Sequence, residues 1–323
     1  MKTIEELQEL IGKKIDGFCR KNGDGSIYQP INYIVQLGGK RMRPVLSLMA
    51  ANLYSDDIDD AIYPALAMEI FHNFTLMHDD IMDNAPLRRG KPTVHEKWNR
   101  DVAILSGDAM MIQSYQLLMK TRPEILSDIL KIYNQTALEV CEGQQSDMDF
   151  QCRNDVSIDE YMEMIRLKTS VLLGGSMQIG ALIGGADEEG QKLIYDFAVK
   201  IGLSFQLWDD YLDAFGNDYE TGKQIGGDIQ ADKKTFLMLR SFEKAGAEEL
   251  AVLNKYLGQF DKGSEKVNAV LSVYRQLQVD NELKELVDQL HAEGLELLEK
   301  VPVDHDRKKM LRNFALSLKG RKS

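Results

Sequence analysis

Between Pro123 and Pro302 the chain contains no proline at all. Proline inside a helix removes a hydrogen bond and clashes with the preceding turn, so a stretch this long without it suits a succession of long helices. It leaves little room for a β-rich domain. No fixed repeat period appears, and no Ser/Gly/Pro-rich linker divides the halves. The chain is therefore expected to be all-α and to form one large domain over residues 1–323. At 44% hydrophobic and 28% charged residues the composition is that of an ordinary globular protein with a core to bury.

Two acidic clusters sit among these helices. In Leu76-Met77-His78-Asp79-Asp80-Ile81-Met82-Asp83, the four-residue spacing of Asp79 and Asp83 puts them on one helical face with Asp80 beside them. Left alone, three carboxylates converging on one spot would repel, and the apolar flanks do not suit a freely solvated acidic face. A hard divalent cation such as Mg2+, held by one or two carboxylates and completed by water and phosphate oxygens, fits these ligands. The device recurs at Gln206-Leu207-Trp208-Asp209-Asp210-Tyr211-Leu212-Asp213, where Asp209 and Asp213 again share a face. Facing helices that aim both clusters across a core would build a multi-metal pocket, as inward-pointing carboxylates do in other bundles.

Cations follow the same logic. Gly38-Gly39-Lys40-Arg41-Met42-Arg43-Pro44 reads either as a solvated turn before a helix starting near Pro44, or as an anion cradle of cations beside free backbone N–H groups. Arg88-Arg89-Gly90 comes just after the first aspartates, and arginine forks match diphosphate oxygens as well as carboxylates. His72 precedes Asp79 by two turns and so shares its face, although a lone histidine is more often a core residue. Lys168 and Thr169 offer a charge and a hydroxyl amid apolar neighbours, whereas the glycines of Gly174-Gly175 and Ile179–Gly185 read as close helix packing. The aperiodic stretch Phe215–Asp228 is long enough to be functional, and Lys233-Lys234-Thr235 opens the next helix. The acidic Ser55–Asp60 segment reads as a solvated connection, and the basic tail from Lys319 as a frayed terminus.

The formal charge of −12 argues against nonspecific binding to nucleic acid or anionic membranes. Cys19, Cys141 and Cys152 show no metal-finger or redox spacing, which suits reduced thiols. The N-terminus lacks the basic start and apolar core of a signal peptide, and no stretch approaches a membrane span. A cytoplasmic location is the expectation.

Taken in order, Gly39–Pro44, His72, Asp79-Asp80-x-x-Asp83, Arg88-Arg89-Gly90, Lys168-Thr169, Phe205-Gln206-x-x-Asp209-Asp210-x-x-Asp213, Gly222-Lys223 and Lys233-Lys234-Thr235 resemble the trans-isoprenyl diphosphate synthases of the farnesyl and geranylgeranyl type. The resemblance covers roughly residues 30 to 240. It implies a single large helical bundle with a central cavity, normally a homodimer, joining isopentenyl diphosphate to an allylic diphosphate with three Mg2+ ions. Asp79, Asp83 and Asp209 would be the main metal ligands, supported by Asp80, Asp210 and Asp213. Arg88, Lys168, Thr169, Gln206, Lys223 and Lys233 would hold the allylic diphosphate; Lys40, Arg43, His72 and Arg89 would hold isopentenyl diphosphate. The allylic C–O bond would ionise, the second substrate's double bond would attack the carbocation, and the released diphosphate would take the proton.

Product length should be set on the helix below Asp79, at Thr75, Phe74 and Phe71, where one helical turn rises about as far as an isoprene unit. Phe74 with Thr75, one aromatic instead of two adjacent ones, resembles the geranylgeranyl arrangement and favours a twenty-carbon over a fifteen-carbon product. Ordinary core packing is the competing reading of both phenylalanines. A class I terpene cyclase shares the first aspartate motif but usually carries an Asn/Ser/Glu-type second one and has no need of the isopentenyl-site cations. A noncatalytic subunit that binds prenyl diphosphates would be expected to carry a damaged motif, and both are intact.

Overall fold

The computed structural model describes residues 2–216, 226–259 and 262–318. Gly222 and Lys223 and the basic tail lie outside the described residues. Almost every element among the described residues is a helix, in keeping with the proline-free run. Among the described residues no helix is long and apolar enough to cross a membrane, and no cysteine is in a disulfide.

Local chemistry sets the helix ends. Helix α1 (Ile4–Asn22) opens with a capping box: the Thr3 hydroxyl accepts from the Glu6 N–H while the Glu6 carboxylate accepts from the Thr3 N–H. It stops at Gly23, whose φ of 68° ends the helix without a Cβ clash. Helix α2 (Tyr28–Gln36) leads through Gly38 and Gly39, both at positive φ, into α3 (Met42–Tyr54). That start lies slightly before the Pro44 expected from the sequence, because Pro44 fits within the first turn, where its N–H would be unused.

Helix α4 (Ile62–Met82) is apolar nearly all round, and a helix of that kind must be surrounded by others. It packs chiefly on α6 (Arg100–Leu118) and on α3. A two-residue hairpin follows α4: β1 (Leu87–Arg88) pairs antiparallel with β2 (Lys91–Pro92). Its turn residues, Arg89 and Gly90, have φ of 54° and 73°, the left-handed pair that a tight hairpin demands. The short α5 (Val94–Lys97) precedes α6.

Helix α7 (Pro123–Gln151) begins on its proline, and α8 (Ile158–Ile165) opens with a second capping box, from Ser157 and Glu160. Residues Arg166–Ser170 then widen into a π-turn before α9 (Val171–Gly184), followed by α10 (Glu188–Phe215). The glycines of α9 serve packing: a Cβ on Gly180 would stand 2.0 Å from the Ser47 carbonyl oxygen, and one on Gly184 2.6 Å from that of Ala51. Six helices complete the described chain: α11 (Gly227–Gln230), α12 (Phe236–Lys244), α13 (Ala247–Tyr256), α14 (Gly263–Gln276), α15 (Val279–Lys300) and α16 (His305–Leu318).

The residues group into two compact units. One comprises Met1–Ala137, Leu172–Tyr195 and Glu299–Leu311; the other Leu138–Val171, Asp196–Leu298 and Arg312–Ser323. Each is assembled from separated stretches, so no linker marks a boundary in the sequence.

Candidate active site

In the first unit, the C-terminal end of α4 carries Asp79, Asp80 and Asp83. Their carboxylates stand in three different environments. Asp80 is only 2% exposed, and the Arg88 guanidinium grips it, its Nε 2.9 Å from both carboxylate oxygens. Burial pushes the Asp80 carboxyl up, and Arg88 works against that shift. Arg88 also lies 3.6 Å from Asp79, while Asp83 is exposed at the helix end. The hairpin exists in part to return Arg88 to this spot.

The cations of the α2–α3 connection gather on a neighbouring surface of the same unit. Arg43 Nη1 lies 3.1 Å from His72 Nε2, and burial, followed by Arg43, Arg89, Arg88 and Arg41 in turn, holds the imidazole well below its ordinary pKa. His72 is therefore neutral. Burial also lowers Arg43, to about 10. Gly39, at φ 124°, lets the Arg89 guanidinium lie against bare backbone, since a Cβ there would be 2.8 Å from it. Arg41 pairs with the buried Glu69 at 2.6 Å. Lys40 stands exposed beside Gly39. Several cations around a neutral histidine, offset by Glu69, form a place for an anion.

Further back on α4, Phe71 and Phe74 are buried with ring centroids 5.6 Å apart, and Phe71 meets Tyr133 edge-on at 5.3 Å. The Thr75 hydroxyl donates to the His72 carbonyl at 2.8 Å. Phe74 in turn meets the His78 ring at 4.7 Å. Next to the aspartates, then, the helix wall is aromatic.

The second unit has its own acidic centre on α10. Asp210 is buried; its carboxylate accepts from the Tyr161 hydroxyl and, at 3.1 Å, from the Gln206 amide. Burial first, then the nearby Asp228, raises Asp210 to about 8. Gln206 also accepts from the Thr169 hydroxyl at 3.3 Å, which ties the π-turn to α10. Lys168 in that turn pairs with Asp147 of α7 at 2.6 Å. Asp213 accepts from the Asp228 N–H at 2.9 Å, and Lys233 lies 3.2 Å from Asp228. Asp209 is half-buried on the same helix.

Neighbours hold the π-turn in place. A Cβ on Gly143 of α7 would sit 2.3 Å from the Lys168 backbone nitrogen, and one on Gly202 of α10 would sit 2.9 Å from the Ser170 side chain. Only glycine permits these approaches. Deeper in this unit Lys266, 1% exposed, pairs with Asp232 at 2.6 Å and donates to the Gln230 carbonyl. That pair fastens the segment carrying Asp228 and Lys233.

Sequence reasoning passed over Glu69, Asp147, Tyr161, Asp228 and Gly143. Glu69 left a signal, as a lone carboxylate inside an apolar helix. The others become visible only through partners distant in sequence.

Carboxylate oxygens are hard donors of the type Mg2+ takes. Among the described residues, however, no group of three or more His, Cys, Asp or Glu side chains forms a ready-made metal centre.

The polyprenyl synthetase family model matches residues 24–275. The short chain isoprenyl diphosphate synthase of Methanocaldococcus jannaschii is 34% identical over 275 residues, covering 85% of this chain and 81% of that protein. The geranylgeranyl diphosphate synthase of Methanosarcina mazei is 36% identical over 249 residues, covering 76% of this chain and 77% of that one. A crystal structure of a geranylgeranyl pyrophosphate synthase shares 43% identity, with a TM-score of 0.95 over the whole of both chains. The all-α fold, the paired aspartate motifs and these relatives lead to one conclusion: the chain belongs to the polyprenyl synthetase family and is a short-chain trans-prenyltransferase.

Proposed function

We propose that this enzyme condenses isopentenyl diphosphate with an allylic diphosphate to give geranylgeranyl diphosphate, working with Mg2+ as a cytoplasmic homodimer whose residues 1–323 act as one synthase domain. The observation that carries the substrate assignment is the cluster of Arg43, Arg89 and neutral His72 close to the Arg88–Asp80 pair. It offers one diphosphate a site made of cations alone, while carboxylates stand nearby for another. The family match runs through residues of both units, which supports the single-domain reading.

In this reading Lys40, Arg43, His72 and Arg89 bind isopentenyl diphosphate. Asp79, Asp83 and Asp209 would hold the ions. Asp80, Asp210 and Asp213 serve from behind, consistent with Asp80 being held by Arg88, and Asp210 by Tyr161 and Gln206. Arg88, Lys168, Thr169, Gln206 and Lys233 are assigned to the allylic diphosphate, with Lys223 carried by the sequence resemblance alone. Bound Mg2+ would supply Lewis-acid neutralisation of the diphosphate leaving group, three ions being the number the resemblance implies. The cationic side chains strengthen as charge builds on that group, which lowers the barrier to ionisation. Thr169 and Gln206 orient their dipoles through a shared hydrogen bond, and the aromatic wall of α4 keeps water from the carbocation.

Phe74 and Phe71 are proposed as the floor for the growing chain. The names of the relatives support a twenty-carbon product. The test is incubation with isopentenyl diphosphate and each allylic primer, with and without Mg2+, followed by chain-length analysis. A twenty-carbon product that requires Mg2+ is expected; failure to condense any primer overturns the proposal. Phe74→Ala should lengthen the product, and an unchanged distribution removes Phe74 as the floor.

A further inference from the structure

The start of α4, the end of α6 and the second half of α1 line a partly open cavity of about 310 Å3 within the first unit. This size is at the small end of ligand-binding cavities. Phe18, Leu66 and Leu117 give it an apolar floor, and Leu66 and Leu117 are buried. Around it stand four lysines, Lys13, Lys14, Lys21 and Lys120, and no carboxylate lines it. On a chain with a net charge of −12 such a lining is unusual.

Two of these cations are held in place. Lys120 Nζ sits 4.1 Å and Lys14 Nζ 5.3 Å from the centroid of the Tyr63 ring. Cation–π contact of this kind steadies an ammonium without neutralising it. Lys13 pairs with Glu9 on the open surface, where such a bridge is weak. In the wall, Gln113 donates to Asn22 at 2.8 Å, while its buried Oε1 has no hydrogen-bond partner. That oxygen can accept from an ordered water or a protonated ligand oxygen.

Gly17 supplies an independent observation. It lies within α1 and lines the cavity, yet a Cβ built on it meets nothing within 4 Å. Glycine weakens a helix relative to alanine, and here neither a positive φ nor a close neighbour calls for it. A side chain at this position would enter the cavity.

An apolar floor beneath a ring of ammonium groups suits an anion with a greasy body. Tyr63 lies sixteen residues before Asp79 on α4, about 24 Å along the helix, so this cavity is distinct from the diphosphate site. We propose that it is a second site for a prenyl diphosphate, taking the diphosphate head and first isoprene units of a substrate or product. Cations alone hold the head there. The ligand's identity rests on the prenyltransferase assignment.

The experiment is equilibrium dialysis of the full-length protein against radiolabelled geranyl thiolodiphosphate, an analogue that resists ionisation, with Mg2+ present. The wild type is expected to bind two equivalents per chain. Gly17→Leu, which fills the cavity, and the double variant Lys14→Gln/Lys120→Gln, which strips its charge, should each bind one. A single equivalent on the wild type, or two on both variants, overturns the proposal. Displacement of the second equivalent by an equal concentration of inorganic phosphate also overturns it, because a plain anion patch would not need the floor. Condensation of isopentenyl diphosphate with geranyl diphosphate, measured on the same preparations, reports the catalytic assignment separately. It should be unchanged in both variants, and its loss together with the second equivalent would show that the two sites are one.

Discussion

Arg88 has two tasks that can be separated experimentally. It neutralises a buried carboxylate, and in the proposed function it also binds the allylic diphosphate. Arg88→Met leaves Asp80 charged and buried, which should cost about 3 kcal/mol, the low end for an orphaned buried charge. Adding Asp80→Asn should return most of the stability but not the turnover; urea midpoints and kcat measured side by side check both halves. His72 and Asp210 should impose opposite pH dependences. The folded His72 refuses a proton that the unfolded imidazole accepts near pH 6.5, so its contribution is present above about 6.5 and lost as pH falls below it. Asp210, raised to about 8, keeps a proton when folded that the unfolded carboxyl releases near 4, so its contribution is full below about 4 and lost as pH rises through 8. His72→Gln should flatten the acidic limb of a stability profile between pH 5 and 7, and Asp210→Asn the limb toward 9.

Among the elements, the π-turn at Arg166–Ser170 does the most with the least sequence. Widened turns of this kind are often found at functional sites, and this one turns Lys168 toward Asp147 and Thr169 toward Gln206. Gly143→Ala would drive a methyl group into the Lys168 backbone. It should destabilise by about 1–3 kcal/mol, as overpacking does, and reduce kcat more than it changes KM for isopentenyl diphosphate. Circular dichroism with steady-state kinetics checks both. Helix positions and the glycine packing of α9 were legible because they follow from local spacing. The π-turn was not, since the glycines that make room for it, Gly143 and Gly202, lie on helices remote in sequence. The hairpin was missed for a related reason: Arg89 is a poor left-handed residue, and only the turn between Arg88 and Lys91 explains it. The spacing sets Asp80 apart from Asp79 and Asp83, but that Arg88 seals it while Asp83 stays exposed depends on the hairpin.

For the whole molecule, the joint binding of Mg2+ and a diphosphate that the proposed function requires has a thermodynamic consequence. Mg2+ alone should hardly move the melting temperature, whereas Mg2+ with a diphosphate should raise it, because in the proposed function the carboxylates and the diphosphate oxygens hold the ion together. Chelation should abolish turnover while leaving the helical signal intact. Differential scanning calorimetry with each component separately and together is the measurement; a large shift with Mg2+ alone would contradict the expectation. The ion pair of Lys266 with Asp232 bears on how such a chain can change over generations. Losing Asp232 strands the Lys266 ammonium in the interior, and losing Lys266 leaves the part-buried Asp232 carboxylate without its cation, whereas changing both together leaves no unpaired charge. Descent away from this pair therefore has to cross a poorly folding intermediate, and lineages should retain both residues or neither.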